Sequence, residues 1–425
     1  MDGESADERT RHRNTVSAAP FAGTSRSVLV GALTLGGIIT AVALTYLRPL
    51  EDTFPVYREL ALEMRSGRVG SGFTPLGYPW LISLVPADSI DVAAKVLHVG
   101  CYVALATVIG AWLNAERTRP SAILGIAAGA WILFNPYVLV NLYRLNDNNV
   151  TVVAMLGLFA LLRLAAGSPS PLLLYTAAGV LVAVLAFVRP NAISLLPVVA
   201  VSAWLHAPPV RPLHVVQTMA SALAALIAYG ALSWGVVGAP LFWPGNGPYN
   251  LFAGNNPASF AAIAEDYNAE PSLAEGLAWC GVEQPIAEAT PSQFVSCTRK
   301  FVIESPVQAM LVTAYKIYNL WRPNLRLAGS PVEIAVQSAM VLPSLLWCLA
   351  SLAIFVRLRR VMDPLATVVV VAFVVPFALT NSDPRFRLPL DAMLVMSLAA
   401  PESVSALREM FVPRALTRER AIPTR

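Results

Sequence analysis

The sequence predicts an all-α polytopic membrane protein with about 10 transmembrane helices and two outer loops that carry amphipathic helices. Three observations predict it. Hydrophobic residues make up 56% of the 425 residues and charged residues 13%, against roughly 25% charged in soluble domains, and the mean hydropathy is +0.60. The apolar residues are gathered into runs long enough to cross a hydrocarbon core about 30 Å thick. No ten-residue alternating pattern of a barrel is present, and lipid leaves unpaired backbone groups unsatisfied, so the spans are expected to be helices.

In chain order, spans are expected at about 27–47, 92–113, 121–141, 150–166, 172–188, 190–205, 214–234, 332–356, 365–381 and 388–401, with 76–86 as a partial insertion. An even count puts both termini on one side. Sixteen of the 30 Lys and Arg residues fall in the tails and short loops of that side, which identifies it as cytoplasmic. Arg144, Arg189, Arg385 and Arg387 lie in short turns on the opposite face, against that rule, and need another role. Segment 1–26 is expected as a disordered cytoplasmic tail, 27–401 as the membrane domain with outer loops 48–91 and 235–331, and 402–425 as a basic cytoplasmic tail. Ala41 and Ala43 resemble a signal-cleavage pattern. The acidic residues ahead of the apolar run, and its spanning length, favour an uncleaved first helix.

The loops are where polarity concentrates. In the first, "VYRELALEMRSG" places Val56, Leu60 and Met64 at helical spacing, with Gly67 as a stop, which reads as a short helix at the membrane surface. The second ends in "SPVQAMLVTAYKIYNLWRPN", an amphipathic helix laid along the outer surface. Cys101 and Cys348 fall in spans. Cys280 and Cys297, in the second loop, are either a disulfide, if that loop faces an oxidising compartment, or two free thiols. A net charge of +4 with no basic block interleaved with aromatics excludes a case for nucleic acid.

No metalloprotease, paired-cysteine, Walker or Ser/His/Asp pattern occurs in usable context, so chemistry falls to carboxylates, arginines and amides. Asp52, beside Glu51, follows the first span, where a carboxylate stays ionised next to the membrane; a solvated loop acid is the alternative. Asp147 in "NLYRLNDNNVTVV" lies in a tight turn near Arg144, either as turn chemistry or as a polar site group. Arg385 and Arg387 in "NSDPRFRLPLD" alternate, so an extended segment puts both guanidinium groups on one side, suited to a phosphate unless Asp383 and Asp391 pair with them. Arg189 and Lys316, one of three lysines, are further outer cations. His98 reads as a packed core histidine.

This ordered set resembles the C-type integral-membrane glycosyltransferases, in the branch similar to dolichyl-phosphate-mannose protein mannosyltransferases and lipid A sugar transferases. An acid follows the first helix, here Asp52. Tyr57, Leu60, Ala61 and Gly67 follow, then "PLGYP" with Tyr78, an acid before the fourth span at Asp147, "YNLFAGNNP" with Asn255 and Asn256, and "RFRLP" at the last helix. Tyr57 stands five residues after Asp52, one more than is usual, so either Asp52 or Glu51 occupies the catalytic place.

The resemblance implies an inverting transferase acting at the outer face on a polyprenyl-phosphate sugar donor. The acceptor would be a glycan, lipid or protein hydroxyl. Asp52 or Glu51 would be the base, and Arg385, Arg387, Arg189 and Lys316 would hold the donor phosphate. Tyr57, Tyr78, Asp147, Asn255 and Asn256 would contact substrate. The resemblance fixes no cofactor, and a divalent metal ion, to which Asp147 offers hard oxygen ligands, is the one candidate. The competing reading is a transporter or flippase for lipid or lipid-linked sugar, since outer arginines can line a path for anionic lipid.

Overall fold

In the computed structural model, residues 21–51, 55–66, 75–115, 119–168, 171–206, 211–237, 246–264, 270–321, 331–380 and 387–411 are described. Among them the chain is helical, with no strand beyond one isolated bridge. The long helices are α1 (Phe21–Leu47), then, after two short helices α2 (Pro55–Arg65) and α3 (Gly77–Ser83), α4 (Ile90–Ala115) and α5 (Arg119–Leu133) with its continuation α6 (Pro136–Val140). The chain continues through α7 (Asn148–Gly167), α8 (Leu172–Val188), α9 (Leu196–His206) and α10 (Arg211–Val237). The second loop holds α11 (Asn246–Ala253), α12 (Ser259–Ala264), α13 (Glu270–Trp279), α14 (Pro291–Glu304) and α15 (Pro306–Trp321). The chain returns through α16 (Pro331–Leu358), α17 (Pro364–Leu379), α18 (Leu388–Leu398) and α19 (Pro401–Phe411).

Among the described residues, six segments are long and apolar enough to cross a membrane: Ser27–Leu47, Ala87–Asn114, Ile123–Val140, Asn148–Gly167, Pro212–Ala231 and Val341–Leu358. The bent pair Leu388–Leu398 and Glu402–Met410 would make a seventh. The chain is therefore a multi-pass membrane protein. Three further expected spans are shorter apolar helices, Leu172–Val188, Pro190–Trp204 and Pro364–Leu379. Helix starts at Phe21 and again occupies Pro401–Phe411, both inside segments expected as tails. At the second, Ser403, Ala406 and Met410 recur on one buried face, which gives α19 a reason to fold.

The core forms around α7 and α18. Helix α7 packs on α4, α8 and α18, and every residue of α18 from Leu388 to Ser397 is buried. Side-chain contacts define two ends. At one, Asp363 caps α17 by accepting from Ala366 N at 3.1 Å, takes the Ser397 hydroxyl at 2.5 Å, and pairs with Arg163, which also reaches Glu402 at 2.9 Å. Arg360 reaches Glu409 at 3.0 Å at this same end. At the other end lie both loops and every sequence-predicted site residue that is described.

Candidate functional site

After α1 the chain is extended at Glu51, whose N–H donates to Tyr143 O (2.7 Å) and whose carbonyl accepts from Leu145 N–H (3.0 Å). Arg144 Nε donates to Glu51 Oε2 at 3.2 Å. Both side chains are about half exposed, so the pair contributes at most about 1 kcal/mol; its work is to fix where the first loop leaves the membrane. Arg144, anomalous by the charge rule, is thereby accounted for. Asp52 lies outside the described residues.

The first loop is anchored by its own small core of Ala61, Tyr78, Ile82, Ile90, Ala94 and Leu145. Gly77 lets α3 dock on the end of α8, because a Cβ there would stand 2.6 Å from Phe187 O. This seats Tyr78 edge-on to Tyr57, with ring centroids 5.4 Å apart. The Tyr78 hydroxyl is 2.8 Å from His98 Nε2, and His98 Nδ1 is 3.1 Å from Leu142 O. With its proton on Nδ1 the neutral histidine donates to Leu142 O and accepts from Tyr78 at Nε2, an atom that also stands 3.2 Å from Asn146 O. Burial, and then the charge of nearby Asp147, push the Tyr78 phenol well above its usual range, so it remains a donor.

Asp147 stands at the start of α7 but makes no cap bond with its side chain. Asn146 does the turn chemistry instead, its Oδ1 accepting from Asn148 N at 3.0 Å, while Asn146 Nδ2 and Asn148 Nδ2 both donate to Asn141 Oδ1. The Asp147 carboxylate is gripped at both oxygens by Arg189, at 2.9 and 3.1 Å, and Arg189 also reaches Asn148 Oδ1 at 2.8 Å. Arg189 follows the last turn of α8, where Pro190 prevents continuation. The expected roles of Arg189 on phosphate and of Asp147 on substrate or metal are thus altered: each is committed to the other. A carboxylate already neutralised by a bidentate guanidinium is a poor cation ligand, and no group of three metal-ligating side chains occurs among the described residues.

Arg387 is likewise committed. Its Nε donates to Asp391 Oδ2 (2.8 Å), Nη1 donates to Leu320 O (2.8 Å), and Ser344 donates to the other carboxylate oxygen of Asp391. Arg387 therefore ties α18 to the end of α15 and to α16 rather than presenting a free fork. Arg385 lies outside the described residues.

Lys316 is different. It is wholly buried on α15, and its Nζ donates to Asn255 Oδ1 at 2.9 Å and to Thr380 O at 3.2 Å. Both acceptors are neutral, and no carboxylate among the described residues pairs with it. Desolvation by burial lowers the Lys316 amine from 10.5 to about 7. Asn255 is positioned for this contact because its Nδ2 donates to Leu251 O and Leu379 O, both at 2.7 Å. Asn256, by contrast, builds the turn, donating to Phe252 O and accepting from Ala258 N, with Gly276 packed so closely that a Cβ would meet its Oδ1 at 2.6 Å. The second loop is further closed by a Cys280–Cys297 disulfide between the end of α13 and α14.

The sequence showed the ionic residues and offered Asp391 as a partner for Arg387, but not the pairing of Arg189 with Asp147 or of Arg144 with Glu51, nor the neutral partners: the Thr380 and Leu320 carbonyls, Ser344, and the asparagine set 141, 146 and 148. Asn149 is buried with neither side-chain atom hydrogen-bonded. Only the Asn-rich run "NLYRLNDNN" signalled this. Compared with protein-family models, curated proteins and solved structures, the chain matched nothing.

Proposed function

We propose that the protein is an inverting glycosyltransferase of the inner membrane. It moves a sugar from a polyprenyl-phosphate donor to an acceptor hydroxyl at the outer face, with about ten crossings and both termini cytoplasmic. The observation that carries this reading is Lys316. A fully buried amine that among the described residues faces only neutral oxygens, at the end of the bundle that carries the loops, is a site that lacks its anion.

In this reading the donor phosphate supplies that anion. When the sugar's anomeric carbon passes to the acceptor oxygen, its bond to the phosphate oxygen breaks and the leaving polyprenyl phosphate gains one negative charge. A desolvated cation stabilises that charge far more than one in water. The acceptor proton goes to a carboxylate, and the attack from the opposite face inverts the centre. Glu51 is held by Arg144, which favours Asp52 as the base and Glu51 as its anchor. Arg189 and Arg387 act as positioning residues, while Arg385 joins Lys316 on the phosphate.

Binding of a radiolabelled polyprenyl-phosphate sugar to the purified protein tests the reading. Lys316→Met should weaken binding at least tenfold without loss of folded protein. Equal affinity in that variant and wild type would remove the observation on which the proposal stands.

A further inference from the structure

Helix α15 is amphipathic in the inverted sense. Its inward face carries Lys316 and Asn319 together with Ala309, Val312 and Leu320. Its outward face is apolar: Val307 is 69% exposed, Met310 72%, Leu311 57% and Tyr318 60%, with Ala314 and Ile317 beside them. Positions 307, 310, 311, 314, 317 and 318 make one continuous stripe at helical spacing. The only charged side chain of the helix is thus turned inward. A cap helix bathed in water would be arranged the other way round, since a contiguous exposed patch of this kind marks a surface that something covers.

We propose that the outer face of α15 is immersed in the acyl region of the lipid bilayer, as a helix set in one leaflet rather than lying on its headgroups. Three observations choose lipid as the occupant. Helix α15 packs along α17, an apolar helix whose Val368, Val371, Val375 and Leu379 are themselves exposed. The stripe holds no charged group and no amide to specify a protein partner. At 16 residues the helix is about 24 Å long, and with Lys316 turned to the protein it can lie within a leaflet without bringing a charge to the lipid. The inference holds whichever reaction the site performs.

The test uses the full chain in phosphatidylethanolamine and phosphatidylglycerol vesicles, with Cys101 and Cys348 replaced by alanine and the Cys280–Cys297 disulfide kept. A nitroxide label is placed singly at Val307, Met310, Leu311 or Tyr318, and at Ser292 as a water-exposed reference. Collision with oxygen, which concentrates in acyl chains, is compared with collision with a water-soluble nickel chelate. The ratio of oxygen to nickel access should be severalfold higher at the four α15 positions than at Ser292. A ratio equal to that at Ser292 overturns the proposal. So does low access to both reagents, with or without the dipolar broadening that a second copy would cause.

Discussion

Arg189 grips both carboxylate oxygens of Asp147, at 2.9 and 3.1 Å, and so joins the end of α8 to the start of α7 inside the bundle. Removing one member of a buried pair leaves the other charge uncompensated, a loss of about 3–5 kcal/mol, whereas replacing both by apolar groups is far milder. Asp147→Ala should therefore lower the thermal midpoint in detergent sharply, and Asp147→Leu combined with Arg189→Met should recover most of it. An Asp147→Ala protein as stable as wild type would show that the pair is not structural.

The Lys316 amine sets a pH dependence whose sign follows from its lowered value. A sugar phosphodiester keeps one negative charge over the relevant range, so only the amine titrates. The charged amine binds the donor better, and affinity is highest below about pH 7 and falls by up to tenfold per unit above it. In the unliganded protein the unfolded lysine holds its proton up to 10.5 and the folded one only to about 7, so stability rises with pH between these values. Donor titrations at pH 6 and pH 9 check the first statement; identical affinities would contradict it.

The Cys280–Cys297 bridge closes a separation of 17 residues. Cross-links over such loops contribute about 2–4 kcal/mol. Replacing both cysteines by alanine should make α13 and α14 susceptible to protease at lower temperature while the spanning helices persist. Unchanged proteolysis would mean that the core of Phe252, Leu273, Leu277 and Phe294 holds the cap without it.

At the opposite end, Asp363 joins α17 to Arg163 on α7 and to Ser397 on α18. Asp363→Ala leaves Arg163 with only Glu402 and removes a helix cap, for a predicted loss of about 3 kcal/mol. Donor binding per folded molecule should not change, because this cluster lies away from Lys316. Weakened binding at equal folded concentration would contradict the separation of the two ends.

The spans were legible because hydropathy is a sum over some twenty residues and tolerates local error. The loops were legible only as helices, since the spacing of Leu60 in α2 and of the apolar residues in α15 records a periodicity but not which face turns inward. In α15 the apolar stripe faces out and Lys316 in, an orientation that depends on Asn255 and Thr380, 61 and 64 residues away. The arginines were legible as exceptions to the charge rule, and Glu51, Asp147 and Asp391 explain three of them. The Arg387–Asp391 pair is local, four residues apart on one helix, whereas the pairs of Arg144 with Glu51 and of Arg189 with Asp147 depend on how segments far apart in sequence come together. Asp52 and Arg385 lie outside the described residues, so their roles rest on the sequence.

The central claim is transfer, and it is tested by incubating the purified protein with a polyprenyl-phosphate sugar labelled in the sugar, together with a panel of glycan, lipid and peptide hydroxyl acceptors. The account predicts that label moves to one acceptor with inverted configuration, that Asp52→Asn abolishes this in a folded protein, and that Glu51→Gln retains most of it. Label that crosses the bilayer still attached to its polyprenyl phosphate, with no acceptor modified, would contradict the account and identify a flippase.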